Sequence, residues 1–463
     1  MSEIQKSNSI SKLPKIWKLA SRNVWTYRRR HIFTCLGLSF GFCGLVLLGG
    51  YMLRMEDYLA TQSIFLRQVG HLSFWKKNAI KFYYQNPNQY SLNAEEADKI
   101  KNILSRNLNS NDKVISVLSG QAMITNSCLS LPILFTGVDP ADLNWIYSHP
   151  QVLREIPELT KFDRGAGFWT RNSDLVPINM SPVLFSLLKK QNILTEIVPS
   201  ANLQALDCKS PDSAKKIAED PFVQIFAQAS DGGLGVTDAA ISGLMSTGFS
   251  FTDETSVLLP FQTAQNLLRT DHISRIAVIL EKVSELEKLQ AALNRELQQN
   301  HIQNVEIHSY REEQVSEIYR GAMNFVYVMI SFFAVLVCGV VILSIANSLQ
   351  ISFLERKPEI ASLRSIGFRP QQIQILFSFE YLIISFVSFC FGGFLAFLLK
   401  FLNNHLNFRF RIPGFANDLQ FVLQPTFIYT YSVLISMLII VLLTTWIISR
   451  KMMLQKIIDL MRA

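Results

Sequence analysis

Four long apolar segments constrain the fold of this chain more than any other feature. They occupy residues 32–53, 321–354, 373–399 and 425–449, and none of them contains Lys, Arg or Asp. Each is long enough to supply the roughly 20 apolar residues that a helix needs to cross a bilayer. We therefore predict a membrane protein with four transmembrane α-helices and a large mixed α/β extracytoplasmic domain between helices 1 and 2. The first segment is expected to stay as an anchor, because the stretch before it is too long for the n-region of a signal peptide.

The basic residues lie in three groups close to the ends of these segments. One group precedes the first segment, one lies at 356–369 and one at 450–462, whereas residues 54–320 contain more acidic than basic residues. Basic loops mark the cytoplasmic side of a membrane. The pattern predicts a bacterial inner-membrane protein with both termini in the cytoplasm. Nucleic-acid binding is not expected, because topology already explains the surplus of cations.

On this interpretation the chain divides into nine segments. They are a cytoplasmic amphipathic N-terminal helix (1–30), TM1 (31–53), a periplasmic α/β domain with projecting helices (54–320), TM2 (321–349), a cytoplasmic coupling helix (350–371), TM3 (372–400), a short periplasmic loop (401–424), TM4 (425–449) and a cytoplasmic tail (450–463). In the periplasmic domain, strands are expected at 113–118, 131–138, 222–229, 256–259 and 275–280, and helices at 94–108, 260–268 and 284–299. Ser284 followed by Glu287 predicts a capping box for the last of these helices.

Catalytic motifs are absent from the sequence, since G-x-x-x-x-G-K-[ST], H-E-x-x-H and C-x-x-C do not occur. We therefore predict no catalytic residue and no metal site. The stretch Gly37-Leu-Ser-Phe-Gly41 matches the serine-hydrolase elbow, but that elbow needs a strand and a sharp turn, and here it lies inside a spanning helix. Gly37 and Gly41 are instead predicted to permit close helix packing, and Gly392 and Gly393 to do the same in the third segment.

Two further features allow more than one interpretation. Glu380 is the acid inside an apolar segment, and an intramembrane carboxylate is a functional candidate. An ion pair with Arg364 or Arg369 is favoured over a proton relay. Cys128 and Cys208 lie in the periplasmic domain, where they either form a disulfide or remain as two separate thiols.

The segment between the second and third apolar segments is the most informative in the chain. It predicts a short helix parallel to the membrane, with Ile360, Leu363 and Ile366 on one face and Gly367 at its C-terminal end. Its charged surface consists of Glu355, Arg356, Glu359 and Arg364. A solvated loop helix would also fit this pattern, although such a helix rarely carries so dense a charged surface.

This segment resembles the permeases of the MacB/FtsX/LolC-LolE superfamily of ABC transporters. The resemblance rests on the pattern N-x(7)-E-R-x-x-E-I-x-x-L-R-x-I-G-[FA], which here runs from Asn347 to Phe368. It extends to Ala20-Ser-Arg22-Asn23, to Gly37, to Glu380 followed by Gly392-Gly393, and to Ser246-Thr-Gly248. Residues from about 140 to 220 show no pattern of this superfamily.

The resemblance implies a dimer of permeases, built from two copies or from this chain and a sibling, and a separate cytoplasmic ATPase dimer. The ATPase would hold ATP and Mg²⁺, and this chain would bind no cofactor. Docking would involve Glu355, Arg356, Glu359, Arg364, Gly367 and Phe368. A large external domain without a fused ATPase is most like the lipoprotein-releasing LolC/LolE type. That type implies release of lipoproteins or lipid-linked substrates by mechanotransmission, with a periplasmic lipoprotein carrier as a further candidate partner.

Apolar residues at the outer ends of the first two membrane helices are candidates for a substrate cavity. They are Tyr51, Met52, Met55, Leu59, Met323, Phe325 and Val326. Methionine-rich surfaces adapt to varied acyl chains, but packing between the two helices explains the same residues equally well. Two other functions stay open: an FtsX-like transmitter that activates a periplasmic enzyme without transport, and MacB-like export of peptides or drugs.

Overall fold

The computed structural model describes residues 13–26, 28–156, 175–193, 208, 210–406, 408–410, 414–415, 419–420 and 422–453. The chain forms two compact units. The membrane unit contains Met1–Met55, Asn324–Arg409 and Gln420–Ala463, and the external unit contains Glu56–Met323 and Phe410–Leu419. Parts of four predicted segments lie outside the described residues. They are 1–12 and 27 of the N-terminal helix, 157–174, 194–207 and 209 of the periplasmic domain, 407, 411–413, 416–418 and 421 of the short periplasmic loop, and 454–463 of the tail.

Four helices in the described residues are long and apolar enough to cross a membrane. Their bounds are His31–Leu66, Glu317–Glu355, Pro370–Leu406 and Phe427–Met453. The first of these spans lies within an α-helix that begins three residues earlier, Arg28–Thr61, and the π-helical turn that follows it, Gln62–Leu66. Two shorter helices belong to the same unit: a surface helix, Leu13–Thr26, and a coupling helix, Lys357–Ser365. Most of the external α/β unit lies in the sequence between the first and the second of these four helices, as predicted.

The amphipathic helix is described as Leu13–Thr26 and the helix after it from Arg28, with residue 27 outside the described residues, so its predicted end at residue 30 stays a prediction. Another helix boundary differs from the one predicted. Residues 350–355, expected in the coupling helix, instead extend the second membrane helix to Glu355. The coupling helix starts afresh after Arg356 with a proline in its first turn. Proline fits a first turn but cannot continue a preceding helix, which explains the break.

Small residues bring the first and third membrane helices close together. A Cβ atom added at Gly392 would lie 2.6 Å from the carbonyl oxygen of Ser39, so only glycine fits there. The Ser39 hydroxyl lies 2.7 Å from the carbonyl oxygen of Cys35 and 2.8 Å from that of Ser388. Ser39 is therefore a buried packing residue whose hydroxyl is already hydrogen-bonded, as its helical setting implied.

The other predicted packing glycines lie in looser surroundings. A Cβ atom at Gly41 would lie 3.1 Å from a methyl carbon of Val341 on the second membrane helix, and one at Gly37 would lie 3.3 Å from the Ser344 hydroxyl. Gly393 has ordinary contact distances. Sequence analysis missed Gly50, where a Cβ atom would lie 2.7 Å from the backbone nitrogen of Pro425.

The external unit is built on a nine-stranded mixed sheet. Its strands are β1 Leu72–Lys76, β2 Lys113–Thr125, β3 Ser130–Val138, β4 Val176–Met180, β5 Phe222–Gln228, β6 Leu234–Leu244, β7 Ser256–Pro260, β8 Arg275–Ile279 and β9 Val305–Ser309. All five predicted strands are present, whereas β1, β4, β6 and β9 were not predicted. Two further strands of two residues each, Arg409–Phe410 and Leu419–Gln420, pair with each other.

The long strand β2 connects two parts of this sheet. Its first half, residues 113–117, pairs with β8, and its second half, residues 118–125, pairs with β3. The strand order β3-β7-β4-β6-β5-β2, together with the β2–β3 pairing, closes six strands into a ring. The ring surrounds apolar side chains that include Leu118, Phe135 and Ile241. The remaining strands, β8, β1 and β9, extend from the ring along the first half of β2.

Short helices connect the strands of the external unit. They are Ala79–Phe82, Pro87–Tyr90, Ala94–Asn107, Pro140–Ser148, Pro150–Glu155, Pro182–Leu187, Pro211–Glu219, Ser250–Asp253, Phe261–Leu268 and Leu286–Gln299. The predicted capping box at Ser284 is wrong. A 3₁₀ turn at Val283–Glu285 contains Ser284, and the α-helix begins only after this turn, with Glu285 at its N-cap. A capping box is instead formed by Asn93 and Glu96.

Cys128 and Cys208 form a disulfide, which settles the choice left open by the sequence. The bond joins the turn between β2 and β3 to a residue 80 positions further along the chain. The described cysteines of the membrane unit, Cys35, Cys43, Cys338 and Cys390, remain thiols.

Candidate functional site

The coupling helix has an apolar side that faces the membrane unit and a charged side that faces away from it. Ile360 is buried and Leu363 is partly buried, as predicted, and Phe368 packs beside them against the same apolar core. Ile366 was expected on this face but is 79% exposed. It lies past the last helical turn, where the chain reverses at Gly367 with φ +100°. That conformation favours glycine and ends the helix.

Arg356 immediately precedes the coupling helix and is turned inward. It is 3% exposed, and Glu380 on the third membrane helix is 1% exposed. Nη1 of Arg356 donates hydrogen bonds to both carboxylate oxygens of Glu380 at 3.0 Å. The expected pairing of Glu380 with Arg364 or Arg369 is therefore wrong. Those residues lie at or beyond the end of the coupling helix, whereas Arg356 lies at its start, against the third membrane helix.

A third element reaches the same carboxylate. Nδ2 of Asn23, on the surface helix, donates a hydrogen bond to Oε1 of Glu380 at 2.6 Å. The guanidinium of Arg356 also lies 5.4 Å from the ring centroid of Phe377, a cation–π distance. We call Asn23, Arg356 and Glu380 the anchor cluster. It joins the surface helix, the coupling helix and the third membrane helix at one buried point.

The anchor cluster explains why Glu380 is tolerated in an apolar segment. Removing a buried charge from water costs several kcal/mol, and only a close partner with further hydrogen bonds offsets that cost. Arg356 is the close charged partner of Glu380, and Asn23 donates a further hydrogen bond to the same carboxylate. Sequence analysis missed Asn23, although the residue belongs to the Ala20-Ser-Arg22-Asn23 stretch that carried part of the resemblance. A polar residue on a surface helix gives no signal of a partner that lies in a different helix.

The charged side of the coupling helix holds the remaining predicted docking residues. Glu355 and Glu359 are exposed and Arg364 is partly exposed. Nε of Arg356 lies 3.1 Å from Oε2 of Glu359, whose side chain is 55% exposed. Arg356 itself is not part of the accessible surface. Of the predicted docking residues, Arg356 is buried and Phe368 packs against the apolar core, so both have internal contacts.

The residues of the predicted substrate cavity divide between the two units. Tyr51, Met52, Met55, Phe325 and Val326 belong to the membrane unit, and Leu59 and Met323 to the external unit. Met55, Leu59 and Met323 are buried, whereas Phe325 is 66% exposed. A cavity formed by all seven residues stays a prediction.

The segments that connect the external sheet to the first two membrane helices meet within the external unit. The hydroxyl oxygens of Ser63, in the π-helical turn, and Ser316, just before the second membrane helix, lie 2.5 Å apart in a hydrogen bond. The rings of Tyr310 and Tyr319 pack 5.4 Å apart in the same region. The two connecting segments are therefore in direct contact with each other.

Comparison with known proteins identifies the C-terminal part of the chain. Residues 331–457 match the family model of the FtsX-like permease C-terminal domain. This range contains the coupling helix, the third and fourth membrane helices, and two of the three anchor residues. The match supports a membrane permease of the ABC transporter type. No curated protein matches the chain.

A solved structure is similar to the chain at a lower level. It is the extracellular domain of the noncanonic ABC-type transporter YknZ from Gram-positive bacteria, at 10% sequence identity and a TM-score of 0.28. The similarity covers 51% of this chain and 99% of that chain. A TM-score this low does not establish a common fold.

Proposed function

We propose that this chain, which carries an FtsX-like permease domain at its C-terminal end, is the permease subunit of an ABC complex driven by a separate cytoplasmic ATPase. The ATPase would hold ATP and Mg²⁺ and dock on the coupling helix. Its closure would move the membrane helices and, through them, the external unit. The proposed cargo is a lipoprotein or another lipid-linked molecule that leaves the inner membrane. Both termini would then lie in the cytoplasm.

The anchor cluster is the observation that carries this proposal. A helix that receives force from an ATPase must be attached rigidly to the elements that it moves. Arg356 links the start of the coupling helix to the third membrane helix through two hydrogen bonds at 3.0 Å, while Glu355 and Glu359 stay exposed beside it. A solvated loop helix has no need of a buried ionic attachment.

The exposure of the second membrane helix supports a permease dimer. In its most apolar window 11% of the residues are buried, against 33–44% for the other three membrane helices. The other three helices are therefore more deeply packed within the unit. The second helix leaves the largest apolar surface for lipid or for another permease subunit.

Charge reversal on the coupling helix tests the docking proposal. We expect Glu359→Lys to reduce recovery of the ATPase with the purified permease at least tenfold, because a repulsive charge at an interface costs several kcal/mol. Glu359→Gln removes the negative charge without reversing it, its amide oxygen can still accept from Nε of Arg356, and Arg356 keeps its bonds to Glu380, so the ATPase should still be recovered. Glu287→Lys, on an exposed helix of the external unit, is the matched control. Equal recovery with Glu359→Lys and wild type would contradict docking at this helix.

Site-specific photo-crosslinking tests the proposed cargo. A crosslinker at Phe325, which is 66% exposed, should capture an acylated protein in membranes, whereas one at Val340, 62% exposed on the same helix, should capture lipid alone. If the ATPase is recovered but no lipoprotein is captured, the cargo assignment is wrong and the ABC assignment stands. Recovery of a soluble cell-wall hydrolase with the permease would favour an FtsX-like transmitter instead.

A further inference from the structure

The external unit contains a cavity whose charge is unbalanced. It has a volume of about 240 Å³ and lies between the sheet and the segments that connect the sheet to the membrane helices. Arg67 and Arg275 both line it, and its described lining contains no Asp, Glu, Lys or His. Hydroxyl groups lie on its walls, from Ser119, Thr136, Thr247, Thr252, Ser256 and Ser274. Two arginines and several hydroxyl-bearing side chains thus line one cavity.

Arg275 is held firmly in this wall by neutral groups. It is 7% exposed. Nε and Nη2 donate hydrogen bonds to the carbonyl oxygens of Gln68 and Arg67 at 3.3 and 3.1 Å, and Nη1 donates to the Ser119 hydroxyl at 3.1 Å. The guanidinium also lies 5.2 Å from the centroid of the Trp75 ring. None of these partners carries a negative charge, so the cation is positioned but not neutralised.

Arg67 leaves its charge available to a ligand. Within the described part of the chain, its guanidinium has no hydrogen bond and no carboxylate at ion-pair distance. Loss of hydration lowers the pKa of Arg67, an effect that Tyr84 and Glu317 partly oppose. For Arg275, burial lowers the pKa to about 10. Both side chains remain cations at neutral pH, and each is less stable there than it would be beside an anion.

We propose that this cavity binds a small oxyanion, a carboxylate or phosphate group, held between Arg67 and Arg275. Planar guanidinium groups recognise these anions through paired hydrogen bonds. The cavity is smaller than the 300–1,000 Å³ typical of sites for drug-sized ligands, so the ligand is a small metabolite or a lipid headgroup. It would touch both connecting segments, because Arg67 and Gln68 follow the π-helical turn and Gln314 and Val315 precede the second membrane helix. The proposal does not depend on the identity of the ATPase or the cargo.

Amide hydrogen exchange of the full chain in nanodiscs tests this proposal. Inorganic phosphate and succinate are titrated, at constant ionic strength with chloride, into protein in phosphatidylcholine discs. A parallel sample in discs that contain phosphatidylglycerol receives no added anion. We expect slower exchange in residues 66–84. Slowing by phosphate or succinate identifies a free anion as the ligand, and slowing by phosphatidylglycerol alone identifies a lipid headgroup.

Three variants decide whether the arginines are responsible. Arg67→Gln should raise the half-maximal anion concentration at least tenfold, because a charge-assisted hydrogen bond is lost. Gln314→Glu, which places a carboxylate at the cavity wall, should also abolish the response without removing an arginine. Arg106→Gln, on an exposed helix, is the control and should respond as wild type does. The proposal is overturned if no probe slows exchange, or if Arg67→Gln and Gln314→Glu respond as wild type does.

Discussion

Buried arginines are treated differently in the two units of this protein. In the membrane unit, Arg356 faces the carboxylate of Glu380 at 3.0 Å, and Asn23 bonds the same carboxylate. In the external unit, Arg275 is bonded to two backbone carbonyls and a hydroxyl, and Arg67 lines the same cavity. In the membrane unit a carboxylate balances the charge of the arginine, whereas in the external unit the groups bonded to Arg275 are all neutral.

The difference separates an anchor from a binding site. A buried ion pair with satisfied hydrogen bonds holds its elements in one arrangement, and its members have no reason to accept another ligand. A buried cation held by neutral groups keeps most of its attraction for an anion. The membrane unit therefore uses charge to fix a helix in place, whereas the external unit keeps charge available in a cavity.

The largest expected effect comes from breaking the complete pair. Glu380→Leu should lower the free energy of unfolding of the membrane unit by about 3–5 kcal/mol, because Arg356 would lose its buried counter-ion and keep only the solvent-exposed carboxylate of Glu359. The measurement is unfolding in mixed micelles followed by circular dichroism. The double variant Arg356→Met/Glu380→Leu should be close to wild type in stability. Costs that simply add in the double variant would show that the two charges are not coupled.

Lowering the pH should destabilise the external unit through a buried histidine. His71 is 1% exposed, and its Nδ1 accepts a hydrogen bond from the Leu280 amide at 3.0 Å. Burial lowers the pKa of His71 from 6.5 to about 4, with a smaller contribution from His149. At a pH between these two pKa values, His71 is protonated in the unfolded chain but neutral in the folded protein. The stabilising contribution is therefore complete above pH 6.5 and is lost as the pH falls toward 4, by about 3 kcal/mol.

Hydrogen exchange in β1 and β8 between pH 7 and pH 4 measures this loss, after correction for the intrinsic rate of exchange. His71→Asn keeps an acceptor for the Leu280 amide but cannot be protonated, so its external unit should lose much less stability over this range. His301→Asn, at an exposed position, serves as the control and should follow wild type. An unchanged pH dependence in His71→Asn would assign the effect to other groups.

The smallest expected effect distinguishes the two cavity arginines from each other. Arg275→Gln should destabilise the external unit by about 1–3 kcal/mol, because it removes hydrogen bonds to the carbonyl oxygens of Arg67 and Gln68. Arg67→Gln should change stability by less than about 1 kcal/mol, because it removes a charge that has no close partner. Thermal unfolding without added anion measures both. A large loss with Arg67→Gln would mean that this arginine has a structural role.

Features that depend on composition and local pattern could be predicted from the sequence. The four membrane helices follow from uninterrupted apolar segments, and the end of the coupling helix follows from Gly367. Strands rich in apolar residues, such as β3 and β8, were also predicted, even though β3 contains Pro132. Strand β4 has only five residues, one of them proline, and β6 is rich in Gly and Ala, so neither has a strong strand pattern, and pairing with distant neighbours decides both.

The contacts that define both sites join distant parts of the chain and could not be predicted. Glu380 selects Arg356 rather than Arg364 or Arg369, a choice that depends on how the coupling helix packs. Asn23 lies 357 residues from its partner. Arg275 lies 208 residues from the carbonyl oxygen of Arg67, to which it donates a hydrogen bond. A single sequence contains no signal that brings such residues together.

The long separation between Asn23 and Glu380 also has a consequence for biosynthesis. Ribosomes add about 5–20 residues per second, so some 20–70 s pass between synthesis of these two residues. During that interval the first membrane helix resides in the bilayer without the third. Its buried hydroxyl at Ser39 is not left unsatisfied, since the carbonyl oxygen of Cys35, 2.7 Å away, belongs to the same helix. The Ser39 hydroxyl therefore has a hydrogen-bond partner in its own helix before the third membrane helix is made.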